Sequence, residues 1–122
     1  MGMESYQQGL AGEEIAERYL SQHGYEIVER NFRSQQGEID LIAREGDDLV
    51  FIEVKNYSVR SYGTPLSAVN KNKRRSIIHA ARTFIYRKRI VGTNCRFDVI
   101  TIYRQPDGSR AIELYKNAFV IN

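Results

Sequence analysis

A single cysteine, Cys95, stands among 122 residues, so no internal disulfide can form and a reducing cytoplasm is the expected setting. With only two histidines beside that cysteine, there is no plausible zinc cluster. No apolar run approaches the roughly 18 residues that a membrane span requires. The opening MGMESYQQG has neither the basic start nor the apolar segment of a secretory signal. A cytoplasmic protein without a membrane partner is therefore expected. Repeats, low-complexity tracts and linker-like stretches are missing too, so residues 1–122 read as a single domain, long enough to bury a core without staples.

One further absence is local. Residues 54–97 contain no Asp or Glu but eleven Lys or Arg, while the rest of the chain holds seven basic and fifteen acidic residues. The net charge of +3 thus conceals a basic half and an acidic half. Such asymmetry suggests a polyanionic partner; the plain alternative is a solvated helix face.

Periodicity places the elements. Residues 12–23 read as a helix with Ile15, Ala16, Tyr19 and Leu20 as its apolar stripe and Gly24 as its stop. Strands are expected at 25–33, 38–44 and 49–56, followed by a loop at 58–65 that carries Arg60 and Tyr62. A long helix over 70–88 has Ile77, Ile78, Ala81, Phe84 and Ile85 at helical spacing. Strands at 96–103 and 111–115 flank the turn signal Gln105-Pro106-Asp107-Gly108. The order α-β-β-β-α-β-β gives an α/β fold, a mixed sheet flanked by helices.

The most informative stretch is 37–55, GEIDLIAREGDDLVFIEVK. Acids avoid strand interiors, yet Asp40 lies near one end of the first apolar strand and Glu53-Val54-Lys55 closes the second. Gly46 and Asp47 suit a two-residue hairpin turn. In that register Asp40 lies across from Glu53, and Glu38 across from Lys55, with Cβ atoms about 4.5–5.5 Å apart. Two carboxylates and an ammonium on one face are the makeup of a divalent-metal site for phosphodiester chemistry. Magnesium accepts one or two protein carboxylates and keeps waters and substrate oxygens. Asp40 and Glu53 fit that need, with the Val54 carbonyl as a third ligand, and Lys55 could orient the water or neutralise developing charge. Without metal, two such carboxylates should repel and raise one pKa. The plain alternative is a set of cross-strand ion pairs, Glu53–Lys55 and Glu38–Lys55.

The αβββαβ order with Asp…Glu-x-Lys resembles the PD-(D/E)XK nuclease superfamily, whose core is restriction-endonuclease-like. Gly9 to Glu13 in the pattern G-x-x-G-E, Arg30 to Arg33 as RNFR, GEIDLIA, FIEVK, Arg96 to Ile100 as RFDVI, and the final Asn117 to Phe119 fall in the order seen in the YraN family. Those small bacterial proteins are described as predicted endonucleases similar to archaeal Holliday-junction resolvases. The resemblance implies a nuclease triad of Asp40, Glu53 and Lys55. It matches Glu13 to the acid that resolvases carry on their first helix; a favourable charge in a helix's first turn is the alternative. Ile39 stands where the superfamily name has Pro, and Asn56 and Tyr57 follow Lys55 where another basic residue is expected.

Arg33, Ser34, Arg60, Lys71, Lys73, Arg74 and Arg75 are the candidate phosphate contacts. Tyr57 and Tyr62 could stack on bases, though burial in the loop explains them more simply. Asp98 reads as a polar edge contact rather than a buried ion pair with Arg96. The expectation is a magnesium- or manganese-dependent endonuclease on DNA, with branched or junction DNA among its substrates and no small-molecule cofactor. A homodimer suits symmetric cutting of two strands. The rival is a non-catalytic nucleic-acid-binding module that retains the fold.

Overall fold

A computed structural model describes residues 2–57 and 71–119, with side chains from residue 12 onward. The elements are α1 (Gly2–Gln22), β1 (Tyr25–Arg33), β2 (Glu38–Glu45), β3 (Asp48–Tyr57), α2 (Lys71–Arg87), β4 (Cys95–Arg104) and β5 (Arg110–Phe119). The strands form one sheet in the order β1-β2-β3-β4-β5, antiparallel except for the parallel β3–β4 pair. That parallel step needs a crossover, and α2 supplies it. The result is the mixed α/β architecture expected from the sequence, consistent with a restriction-endonuclease-like core.

The helices cover opposite faces of the sheet. Alternation along β3 sends Val50, Ile52 and Val54 toward α1 and Leu49 and Phe51 toward α2. On the α1 face they meet Ala16, Leu20, Leu41, Ile100 and Ile102; on the α2 face they meet Ile77, Ala80, Ala81, Phe84, Phe97 and Val99. The central strand is therefore apolar on both sides until its C-terminal end.

The β2–β3 hairpin turns through Gly46 and Asp47, with Gly46 at φ 59. A glycine at the first central position suits a type II′ turn, whose twist matches that of the strands. Pairing runs in the expected register from Glu45↔Asp48 to Leu41↔Ile52. It stops there. β2 rotates at Asp40: Ile39 packs on the α2 face and Leu41 on the α1 face, although residues two apart should share a face. The rotation is accompanied by a distortion in β1, where Asn31 takes φ 52 between the pairs Arg30↔Leu41 and Phe32↔Ile39. Asn tolerates this left-handed conformation better than most residues do. The twist carries Phe32 into an edge-on contact with Phe84, ring centroids 5.2 Å apart.

Two expectations change accordingly. Because the ladder ends before Asp40, Glu38 does not face Lys55; it pairs instead with Arg33 at 3.6 Å. The edge-contact reading of Asp98 is also corrected, since Asp98 is fully buried. It accepts hydrogen bonds from Arg96 Nε (3.1 Å), Tyr25 Oη (2.8 Å) and the Asn117 amide (2.9 Å). Arg96 also pairs with Asp48 and Glu45. A buried carboxylate persists when partnered this way. The network raises the Tyr25 hydroxyl pKa, first through burial and then through Asp98. Asn117 at φ 54 opposes Asp98 in a bulge that lets β5 run on to Phe119, beyond the expected end at 115.

Candidate active site

Glu53 and Lys55 lie where β3 passes from its apolar stretch to its polar end, on the face covered by α2. Glu53 is only 7% exposed, and its Oε1 lies 3.4 Å from Lys55 Nζ. Asp40 does not sit squarely opposite Glu53. Its Oδ2 accepts a hydrogen bond from the Val54 amide at 2.8 Å, so the carboxylate fills the gap where the ladder has parted. An extended residue points its N–H and C=O toward the same neighbouring strand. The Val54 carbonyl therefore opens on the Asp40 side.

The electrostatics match the expected repulsion. Burial first, then the Glu53 charge, push the Asp40 pKa up to about 7, against the opposing pull of the Val54 amide. Glu13 and Glu38 raise it further. Glu13 thus belongs to the acidic neighbourhood, although among the described residues no three His, Cys, Asp or Glu side chains are placed to hold a metal on their own. Its explanation as a first-turn charge does not hold, because α1 begins at Gly2.

Two glycines set the helices against this end of the sheet. A Cβ at Gly37 would lie 2.3 Å from the Ser76 carbonyl oxygen, so only glycine lets the start of β2 touch α2 there. A Cβ at Gly12 would lie 2.7 Å from the Asn56 side-chain nitrogen, bringing the α1 turn that carries Glu13 against the end of β3. Both glycines fall in the sequence motifs.

The candidate phosphate contacts separate into groups. Lys71, Arg74 and Arg75 are exposed in the first turns of α2. Four cations here oppose the helix dipole, whose positive end lies at the N-terminus, so helix stability does not explain them. Lys73 turns inward, its Nζ 3.2 Å from Glu53 Oε1. Arg33 is exposed beside Glu38, whereas Ser34 is tied into its turn by bonds between its amide and hydroxyl and the Gly37 carbonyl. Arg60 and Tyr62 lie outside the described residues. Tyr57 stacks on Tyr103 with ring centroids 5.2 Å apart.

Sequence reasoning missed two members of the cluster. Lys73 reads from the sequence as a phosphate contact, and only its place on the α2 crossover aims it at Glu53 as well. Thr101 pairs with Lys55 across the parallel β3–β4 step, and its buried hydroxyl has no hydrogen-bond partner among the described residues. The donor set fits a hard divalent cation. It offers two carboxylates, one of them destabilised as an anion by burial and by its neighbour, and a carbonyl facing the same gap.

Residues 12–102 match the uncharacterised protein family UPF0102. A UPF0102 protein of Clostridium kluyveri is 46% identical over 114 residues, covering 93% of this chain and 93% of the relative. Another from Syntrophus aciditrophicus is 44% identical over 111 residues, covering 91% and 87%. A third, from Pelobacter propionicus, is 47% identical over 113 residues, covering 91% and 81%.

Proposed function

The chain belongs to the uncharacterised protein family UPF0102, and we propose that it is a divalent-metal-dependent endonuclease hydrolysing DNA phosphodiester bonds. The observation that carries this reading is the Asp40–Glu53–Lys55 cluster, in which a buried, repelled carboxylate lies beside a second acid held by a lysine. Asp40, Glu53 and the Val54 carbonyl would hold magnesium or manganese. Such an ion offsets phosphate charge and acidifies a bound water.

The remaining work falls to the chain. The Val54 amide holds Asp40 in orientation. Lys55, on the same face as Glu53, would meet the scissile phosphate and stabilise the charge that develops there. Glu13 would assist from α1 as a further acid of the same neighbourhood. Lys71, Lys73, Arg74 and Arg75, with Arg33, Ser34 and Arg60, would hold the sugar–phosphate backbone without reading bases. Branched DNA is the favoured substrate class on resemblance, and a homodimer would supply two cutting sites.

A non-catalytic nucleic-acid-binding module is the second reading. It is favoured by the two ammonium groups that already neutralise Glu53. Labelled linear, flapped, nicked and four-way DNA, incubated with and without magnesium or manganese, separates the two. Cleavage that needs metal and is lost in Asp40→Asn supports the nuclease. Binding without cleavage under every metal supports the module.

A further inference from the structure

We propose that Lys73 is a two-position cation of this site: it holds Glu53 while no metal is bound and moves to a backbone phosphate when metal and DNA are present. The inference rests on the metal-dependent reading above and adds to it a coupling between metal and substrate binding. Its basis is a crowded oxygen. Lys73 Nζ at 3.2 Å and Lys55 Nζ at 3.4 Å share the same Glu53 Oε1. Each partner stabilises a carboxylate that is only 7% exposed. A magnesium ion binds carboxylate oxygen at about 2.0–2.1 Å. A metal that binds through Oε1 leaves that oxygen too crowded for two ammonium groups, so it displaces one lysine.

Geometry selects Lys73. Lys55 is 23% exposed and anchored in the strand, whereas Lys73 is 43% exposed on the first turn of α2. Its helical neighbours Lys71, Arg74 and Arg75 form the exposed basic strip. A flexible four-carbon stem lets one ammonium reach either the buried acid or a phosphate lying along that strip. Glu53 then has a counter-ion in both states. Lys73 lowers metal affinity in the free protein and gains its phosphate contact only once metal has taken Glu53.

Two measurements test this. In calorimetric titration with manganese alone, Lys73→Met should bind about fivefold more tightly or better, the lower end of typical coupling between sites. Lys73→Arg, which keeps the charge, should stay near wild type. Arg82→Met, which removes an exposed charge farther along α2, should leave manganese affinity unchanged. For a labelled duplex, Lys73→Met should lose affinity in calcium, a hard divalent ion with the same oxygen preference, but match wild type in EDTA. Manganese affinity unchanged or weaker in Lys73→Met, while Asp40→Asn abolishes it, overturns this inference and leaves the metal site standing. Equal loss of duplex affinity in calcium and EDTA also overturns it, making Lys73 an ordinary phosphate contact. Absence of manganese binding by the wild-type protein overturns both readings.

Discussion

Replacing Asp40 by Asn should stabilise the metal-free protein above neutral pH, even though it removes a proposed metal ligand. Asp40 is raised from 3.8 to about 7 in the fold, chiefly by burial and by Glu53. Its folded state therefore binds more protons than its unfolded state between those values. Stability should fall as pH rises through that window and level off above it. That difference corresponds to about 4 kcal/mol, and local relaxation and water entry reduce the expected effect to about 2–4 kcal/mol. The Asn side-chain oxygen can still accept the Val54 N–H, so packing should survive the change. The assay is urea unfolding of both proteins in EDTA from pH 5 to 9. Asn should gain its advantage progressively toward pH 8 and lose most of it near pH 5. Magnesium should then stabilise wild type but not the variant. Parallel curves for the two proteins across this range, or an Asn advantage that shrinks as pH rises from 5 to 8, would refute the electrostatic account.

Three other outcomes follow from the same structure. Lys55→Met keeps most of the stem, so melting should be near normal while single-turnover cleavage drops by roughly two or more powers of ten. Replacing Lys71, Arg74 and Arg75 together by Ser should weaken duplex binding and flatten its salt dependence, by about 0.9 in log–log slope for each phosphate left without its cation; an unchanged slope makes that strip a solvated face. Asp98→Ala leaves Arg96 without its central partner inside the network, and urea unfolding should show a loss of about 3–5 kcal/mol.

The hairpin and its register were legible because Gly46-Asp47 has the chemistry of a tight turn and because the flanking strands alternate or run apolar. The helix stripes were equally legible: Ile77, Ala81 and Phe84 are buried, and Ile78 and Ile85 pack against them. The start of α1 was not, since Gly9 and Gly12 lower helix propensity where the helix in fact continues back to Gly2. At the candidate site the expected repulsion between Asp40 and Glu53 is present, but the ladder that should join them ends one pair short. It ends where the left-handed Asn31 lies on the neighbouring strand, a conformation that strand periodicity does not encode. The Arg96–Asp98 network is hidden in the sequence for a related reason. Residues two apart on a strand look like an edge pair, whereas Tyr25, Glu45, Asp48 and Asn117 converge on them from β1, β2, β3 and β5.

The parallel β3–β4 step also has a consequence for the order of folding. β1, β2 and β3 form a meander joined by short turns, so Asp40 and Glu53 meet through contacts that are local in the chain. Leu49 meets Cys95 only after the whole α2 crossover has been looped back, a closure with a larger entropic cost before any contact rewards it. The carboxylates thus assemble with the fast, local part of the fold, and Lys73 arrives with the slow, non-local part. In the folded protein Glu53 keeps a partner from its own strand, Lys55, beside the one that α2 brings. Charge substitutions in α2 should therefore alter unfolding more than folding.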